Sequence, residues 1–234
     1  MTIIITGASK GLGKAIAEKY AADKMHNIYL CARNEAALQE LANELLKDFP
    51  GTRVYTFVCD MSDKAQVFTF AKWLLDQHVT VDILVNNAGQ FIPGSVYNEP
   101  EGALEKMIEV NLYSAYHLTR SLLPSMMQAK SGHIFNMCSI ASLKAYENGG
   151  AYSISKFALA GFSKNLREEL KAYNIKVTAV YPGAAYTDSW SGSGVDPLRI
   201  MEAKDVAEMI YASSTLSMQA CVEEIVLRPQ LGDL

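Results

Sequence analysis

Tyr152 and Lys156, the ends of YSISK, stand four residues apart. On a helix that spacing puts both side chains on one face, with Cβ atoms about 5–6 Å from each other. A phenol of pKa about 10 exchanges protons poorly near neutrality, and a neighbouring cation lowers such a pKa by about 1–3 units. The pair is therefore suited to general acid–base work. A second chemical feature lies at the start of the chain, in TGASKGLG, where Gly7, Gly11 and Gly13 separate an apolar run from the helical stretch KAIAEKYAAD. A glycine turn opening a helix presents unpaired N–H groups and the positive end of the helix dipole, an anion site suited to a diphosphate. Its spacing, G-x-x-x-G-x-G, meets the common dinucleotide fingerprint only in part. Arg33, in IYLCARN, stands where dinucleotide-binding folds often carry an acidic residue for the ribose 2′-hydroxyl. A guanidinium there favours a 2′-phosphate instead. Lys10, inside the glycine turn, adds positive charge, so NADP(H) is the expected cofactor.

These residues need a scaffold, and the sequence supplies a repeating one. Strands are expected at Thr2–Thr6, Asn27–Cys31, Arg53–Cys59, Asp82–Asn86, His133–Cys138, Lys176–Tyr181 and Val222–Leu227. Most are continuous runs of Ile, Val, Leu, Tyr and Phe, as strands covered on both faces require. Between them lie stretches such as EAALQELANELLKDF and DKAQVFTFAKWLLDQ, apolar at helical spacing. The alternation predicts an α/β fold: a doubly wound Rossmann fold with a seven-stranded parallel sheet and helices on both faces. With no internal repeat or dividing linker, residues 1–234 read as a single domain. The Gly/Ser-rich SWSGSG falls between elements and reads as a mobile loop.

Bulk properties narrow the function classes. A net charge of −4 argues against a nucleic-acid partner. No apolar run approaches the roughly 20 residues of a membrane span. MTIII leads directly into the glycine turn with no signal-peptide pattern, so a cytoplasmic, soluble protein is expected. Cys31, Cys59, Cys138 and Cys221 are scattered, without a CxxC pair or neighbouring histidine. They read as buried thiols of a reducing compartment, and no metal site is expected.

Taken in order, the motifs resemble the short-chain dehydrogenase/reductase family along nearly the whole chain. They are the turn Thr6–Gly13, Asp60 after the third strand, NNAG at Asn86–Gly89, Asn111 in EVNLYSAY, Ser139 in HIFNMCSIAS, the Tyr152/Lys156 pair, and PGAAYT at Pro182–Thr187. The resemblance implies catalytic roles for four residues. Tyr152 donates a proton to the oxygen of a carbonyl as hydride reaches its carbon, and Ser139 hydrogen-bonds that oxygen. Lys156 stabilises the phenolate and holds the nicotinamide ribose, while Asn111, at a helix kink, supports a water between Lys156 and solvent. It also implies cofactor contacts from Thr6, Gly7, Ser9, Lys10, Gly11, Leu12, Gly13, Arg33, Tyr152 and Lys156. Asp60 and Met61 would meet the adenine, Asn87, Ala88 and Gly89 the adenosine ribose, and Pro182, Gly183 and Thr187 the nicotinamide end.

Within the family, HIFNMCSIAS, PGAAYTDSW and the tail VEEIVLRPQLGDL look most like bacterial sepiapterin reductases, which reduce side-chain ketones of a pterin. The substrate contacts expected on this basis are Ser139, Tyr152 and Trp190, the last offering an aromatic face. A pterin would also want a carboxylate, for which Glu147, Asp188, Asp196 and Asp233 remain equal candidates. A 3-oxoacyl-[acyl-carrier-protein] reductase is the alternative enzyme; it must dock an acidic carrier, and only Arg199 offers positive charge near the entrance. A non-catalytic NADP(H)-binding sensor is a third reading, disfavoured by the intact Ser/Tyr/Lys set. Residues 186–200 are expected to form a substrate lid. The helical stretches 105–128 and 151–173 carry apolar residues on more than one face, which predicts a homodimer or homotetramer.

Overall fold

The computed structural model describes residues 1–23, 26–187 and 194–234. Seven strands form one sheet: β1 (Thr2–Thr6), β2 (Asn27–Ala32), β3 (Arg53–Val58), β4 (Ile83–Asn86), β5 (His133–Met137), β6 (Lys176–Pro182) and β9 (Glu224–Leu227). Their order is β3-β2-β1-β4-β5-β6-β9, and every pairing is parallel. This is the expected doubly wound sheet, with strand ends shifted by one or two residues. The last strand opens at Glu224, two residues later than the apolar run suggests.

Alternation along β1 explains the two layers of helices. Ile3 and Ile5 face a core completed by α1 (Gly11–Ala22), α2 (Glu35–Asp48) and α7 (Ala203–Ser214), through Ile16, Leu38, Leu41, Val206 and Ile210. Ile4 faces the opposite core, filled by α3 (Lys64–Asp76), α5 (Ser114–Ala129) and α6 (Gly150–Leu170), with Phe70, Leu118, Leu122 and Leu166. Strands covered on both sides have no polar face to show, which is why their sequences are continuously apolar. Helix starts follow local chemistry: Asn34 accepts from Ala37 N at 3.0 Å, and Asp63 from Ala65 N at 2.8 Å.

Three features do not follow from periodicity. A short helix α4 (Ala103–Ile108) runs into a π-helical turn, Glu109–Tyr113, before α5 continues the same rod. Two-residue strands β7 (Ala185–Tyr186) and β8 (Met201–Glu202) pair in parallel outside the main sheet. The segment between β4 and α4 has no regular structure across residues 87–102. Among the described residues, no helix is long and apolar enough to cross a membrane. Cys31, Cys59 and Cys138 are buried as expected, whereas Cys221 is partly exposed.

Candidate active site

The strand order reverses between β1 and β4, and the loops leaving those two strands are tied together there. Thr6 Oγ1 accepts from Asn87 N at 3.0 Å and Ala88 N at 2.9 Å. In return, Asn87 Nδ2 donates to the carbonyls of Thr6 and Gly7 at 2.8 and 3.0 Å. Gly7 and Gly11 have φ of +62° and +57°, a region that disfavours other residues. A Cβ on Gly13 would lie 2.5 Å from the Gly7 carbonyl oxygen. The bare turn is thus a requirement of packing as well as of ligand approach, and Asn87 serves as its brace. Crevices at such reversals are where doubly wound folds bind ligands.

The other cofactor candidates frame this crevice. Lys10 is exposed at the N-cap of α1, Ser9 is partly buried, and Leu12 packs against the core. Arg33 leaves the end of β2 with an exposed side chain, one residue before the cap of α2. Asp60 Oδ1 accepts from Ser62 N and Oγ at 2.9 and 2.7 Å, while Met61 is buried with its sulfur 3.6 Å from both Cys31 and Cys59. Pro182 ends β6, and Gly183 N donates to Leu227 O at 2.7 Å. A Cβ on Gly11 would sit 3.2 Å from a Thr187 methyl, so Thr187 lies over the glycine turn.

The four catalytic candidates converge beside that crevice. Ser139 leaves β5 and caps a short 3₁₀ turn, its Oγ accepting from Ala141 N at 3.1 Å. That bond uses an oxygen lone pair and leaves the O–H proton to donate elsewhere. Tyr152 lies in the first turn of α6, and contact with Ser139 favours its ionised form. Burial outweighs that contact and pushes Tyr152 up to about 12. Lys156 is buried, with Nζ donating to Met137 O at 2.7 Å and lying 5.8 Å from the Tyr152 ring centre. Burial pushes it down to about 8. Burial of the phenol opposes the lowering expected from Lys156, whose ammonium is turned toward a backbone carbonyl.

Asn111 occupies the π-helical turn, and its amide does three things. Oδ1 accepts from Gln90 N at 2.8 Å, and Nδ2 donates to Gln90 O at 3.1 Å and to Ser155 Oγ at 2.9 Å. The extra residue of the π turn is what brings this side chain inward, consistent with the expected kink. Gly89 fits in the gap, where a Cβ would lie 3.0 Å from Asn111 Oδ1 and 3.4 Å from Lys156 Nζ.

Trp190 and Asp188 lie outside the described residues, as does the stretch 188–193 of the expected lid at 186–200. The other carboxylates are placed: Glu147 is exposed, Asp196 caps a 3₁₀ turn through Leu198 N, and Asp233 pairs with Arg228. Arg199 donates to the carbonyls of Leu231, Gly232 and Asp233. Sequence reasoning missed Phe91, whose half-exposed ring meets Tyr152 edge-on at 4.8 Å between centroids. It also missed Ser155, the partner of Asn111, although helical spacing within YSISK points it to the same side of α6. The apolar FIP run, one residue after NNAG, is the available signal for Phe91.

A glycine-lined crevice at the sheet's reversal point, with a serine, a tyrosine and a lysine beside it, defines a dinucleotide-dependent oxidoreductase. The chain belongs to the short chain dehydrogenase family, whose profile matches residues 1–196. It is 32% identical over 240 residues to a sepiapterin reductase of Chlorobaculum tepidum, covering 99% of this chain and 97% of that protein. Among solved structures it resembles a metagenomic short-chain oxidoreductase in complex with NADP, with TM-score 0.84, 30% identity, and coverage of 98% and 97% of the two chains. It also resembles the closed form of a serine dehydrogenase complexed with NADP+, with TM-score 0.91, 27% identity, and coverage of 100% and 97%.

Proposed function

We propose that the protein is an NADPH-dependent carbonyl reductase whose substrate is a flat ketone, sepiapterin or a related dicarbonyl. The observation that carries the substrate class is the Phe91 ring against Tyr152, which puts an aromatic surface beside the proton donor. Tyr146, close enough to raise the Tyr152 pKa further, adds a second partly exposed ring. The likeness to the Chlorobaculum tepidum sepiapterin reductase supports the same reading.

The bare glycine turn and the exposed Arg33 suit a dinucleotide that carries a 2′-phosphate. Bound NADPH would supply the hydride. The chain's own residues do the rest. Tyr152 gives its proton to the carbonyl oxygen as that oxygen gains charge, and the Ser139 hydroxyl donates to the same atom. Lys156 contributes a fixed positive charge beneath the site, held by Met137 O. The acyl-carrier alternative needs a basic docking surface, and Arg199 already commits its guanidinium to three tail carbonyls.

Following NADPH oxidation with sepiapterin, benzil, diacetyl and acetoacetyl-acyl carrier protein tests this. Sepiapterin and benzil are expected to surpass diacetyl in kcat/KM at least tenfold. Preference for the acyl carrier substrate would replace the reading, and activity with NADH alone would overturn the cofactor.

A further inference from the structure

The helix that carries Tyr152 starts without a cap of its own. Its N-cap position is Gly149, which has no side chain to accept from the first N–H groups. The missing acceptor comes from far along the chain: Glu99 Oε2 accepts from Ala151 N at 3.0 Å. Ala151 is buried and is the residue immediately before Tyr152. A carboxylate at a helix N-terminus is also favoured by the helix dipole.

Glu99 belongs to a strap, residues 90–99, that is fastened at both ends. At one end Asn111 binds both backbone groups of Gln90. At the other, Gly94 N donates to Asn148 O at 3.1 Å, Ser95 Oγ donates to Asn148 Oδ1 at 2.9 Å, and Glu99 closes on Ala151. The strap presses so closely on the helix start that a Cβ on Gly150 would lie 2.4 Å from Gly94 O and 2.5 Å from Glu99 Oε2. Between the two fastenings, Phe91 is held edge-on to the Tyr152 ring.

We infer that Glu99 is a positioning residue for the proton donor: its hydrogen bond to Ala151 N fixes the first turn of α6, and with it the Tyr152 phenol relative to Ser139 and Phe91. The inference rests on Tyr152 being that donor. A displacement of about 1 Å at a reacting group costs roughly 100-fold in rate, so a loose first turn is felt in the chemical step. Glu99 is not among the residues expected to contact the cofactor, so cofactor affinity is not expected to follow.

The test uses Glu99→Ala, Glu99→Gln and Tyr152→Phe in the full chain, with kcat and KM for benzil and the dissociation constant of NADPH from its fluorescence. Glu99→Ala is expected to lower kcat about 10–100-fold while the NADPH constant stays within about twofold. Glu99→Gln keeps an acceptor oxygen at the same reach and is expected to restore most of kcat. Wild-type kcat in Glu99→Ala, or a Gln variant as impaired as the Ala variant, overturns the inference. So does a parallel loss of NADPH binding, which marks general damage. If the Ala variant does not fold, Glu99→Asp keeps the charge and shortens the reach. A reduced kcat with unchanged NADPH affinity then supports the inference, and wild-type kcat overturns it. Retained turnover in Tyr152→Phe instead overturns the donor assignment, an outcome distinct from failure at Glu99 alone.

Discussion

Tyr152 and Lys156 share a helix face, yet burial moves their pKa values in opposite senses, Tyr152 up to about 12 and Lys156 down to about 8. Tyr152→Phe is expected to cut turnover about 10²–10⁴-fold, the usual range for a general acid, with NADPH affinity nearly intact. Lys156 carries a stability cost. Its folded value lies below 10.5, so the unfolded chain binds the extra proton between about pH 8 and 10.5. The penalty is fully present below pH 8 and is relieved as pH rises to 10.5. Lys156→Met is therefore expected to abolish turnover and raise stability by about 1–3 kcal/mol at pH 7. Thermal melts against wild type would show that gap narrowing toward pH 10.5, and a gap independent of pH would refute the cause. Tyr152, Lys156, Ser139 and Asn111 stood out as candidates in the sequence because their order is distinctive. The direction in which the Lys156 ammonium points was not, since it depends on where the carbonyl of Met137 ends in space.

The elements divide along the same line. Seven strands were legible because a strand buried on both faces must be apolar throughout. The β7/β8 pair was not, because two residues carry no period. The strap at 90–99 was also hidden: its fastenings are backbone groups and single side chains brought together by the sheet. The glycine turn lies between these cases, readable as a motif but not as a packing requirement. Gly13→Ala would drive a Cβ to 2.5 Å from Gly7 O and 2.6 Å from Asn87 Nδ2. It is expected to weaken NADPH binding at least tenfold. Gly161, on α6, meets nothing within 4 Å of its Cβ position. Gly161→Ala is accordingly expected to raise the stability of the dissociated chain by about 0.5–1 kcal/mol, the helix-propensity difference, and to leave NADPH binding unchanged. Titrating both variants with NADPH and melting both separates the two effects. Equal cofactor affinity in Gly13→Ala and wild type would refute the packing requirement.

At the scale of the whole molecule, α5 and α6 each bury one face against the sheet and leave apolar side chains on the other. Leu118, Leu122, Leu159 and Leu166 are buried, while Tyr116, Ile154 and Phe157 are exposed. Tyr116 packs on Phe162 at 5.5 Å between ring centroids, so the aromatic surface runs from one helix to the next. Contiguous apolar surface of this kind marks an interaction site in a folded chain. The occupant most consistent with it is a second copy, because a two-fold axis brings the same two helices from each partner into one four-helix contact. Phe157→Glu would place a charge on that surface in both copies at once, where neither can be solvated or paired. Sedimentation at micromolar concentration is expected to give a dimer or tetramer for the wild type and a smaller species for Phe157→Glu. Phe157 lies five residues beyond Tyr152 on α6, so the expected contact and the proposed proton donor would share one helix. A wild-type monomer would refute the assembly, and an unaltered oligomer in Phe157→Glu would move the contact to another face.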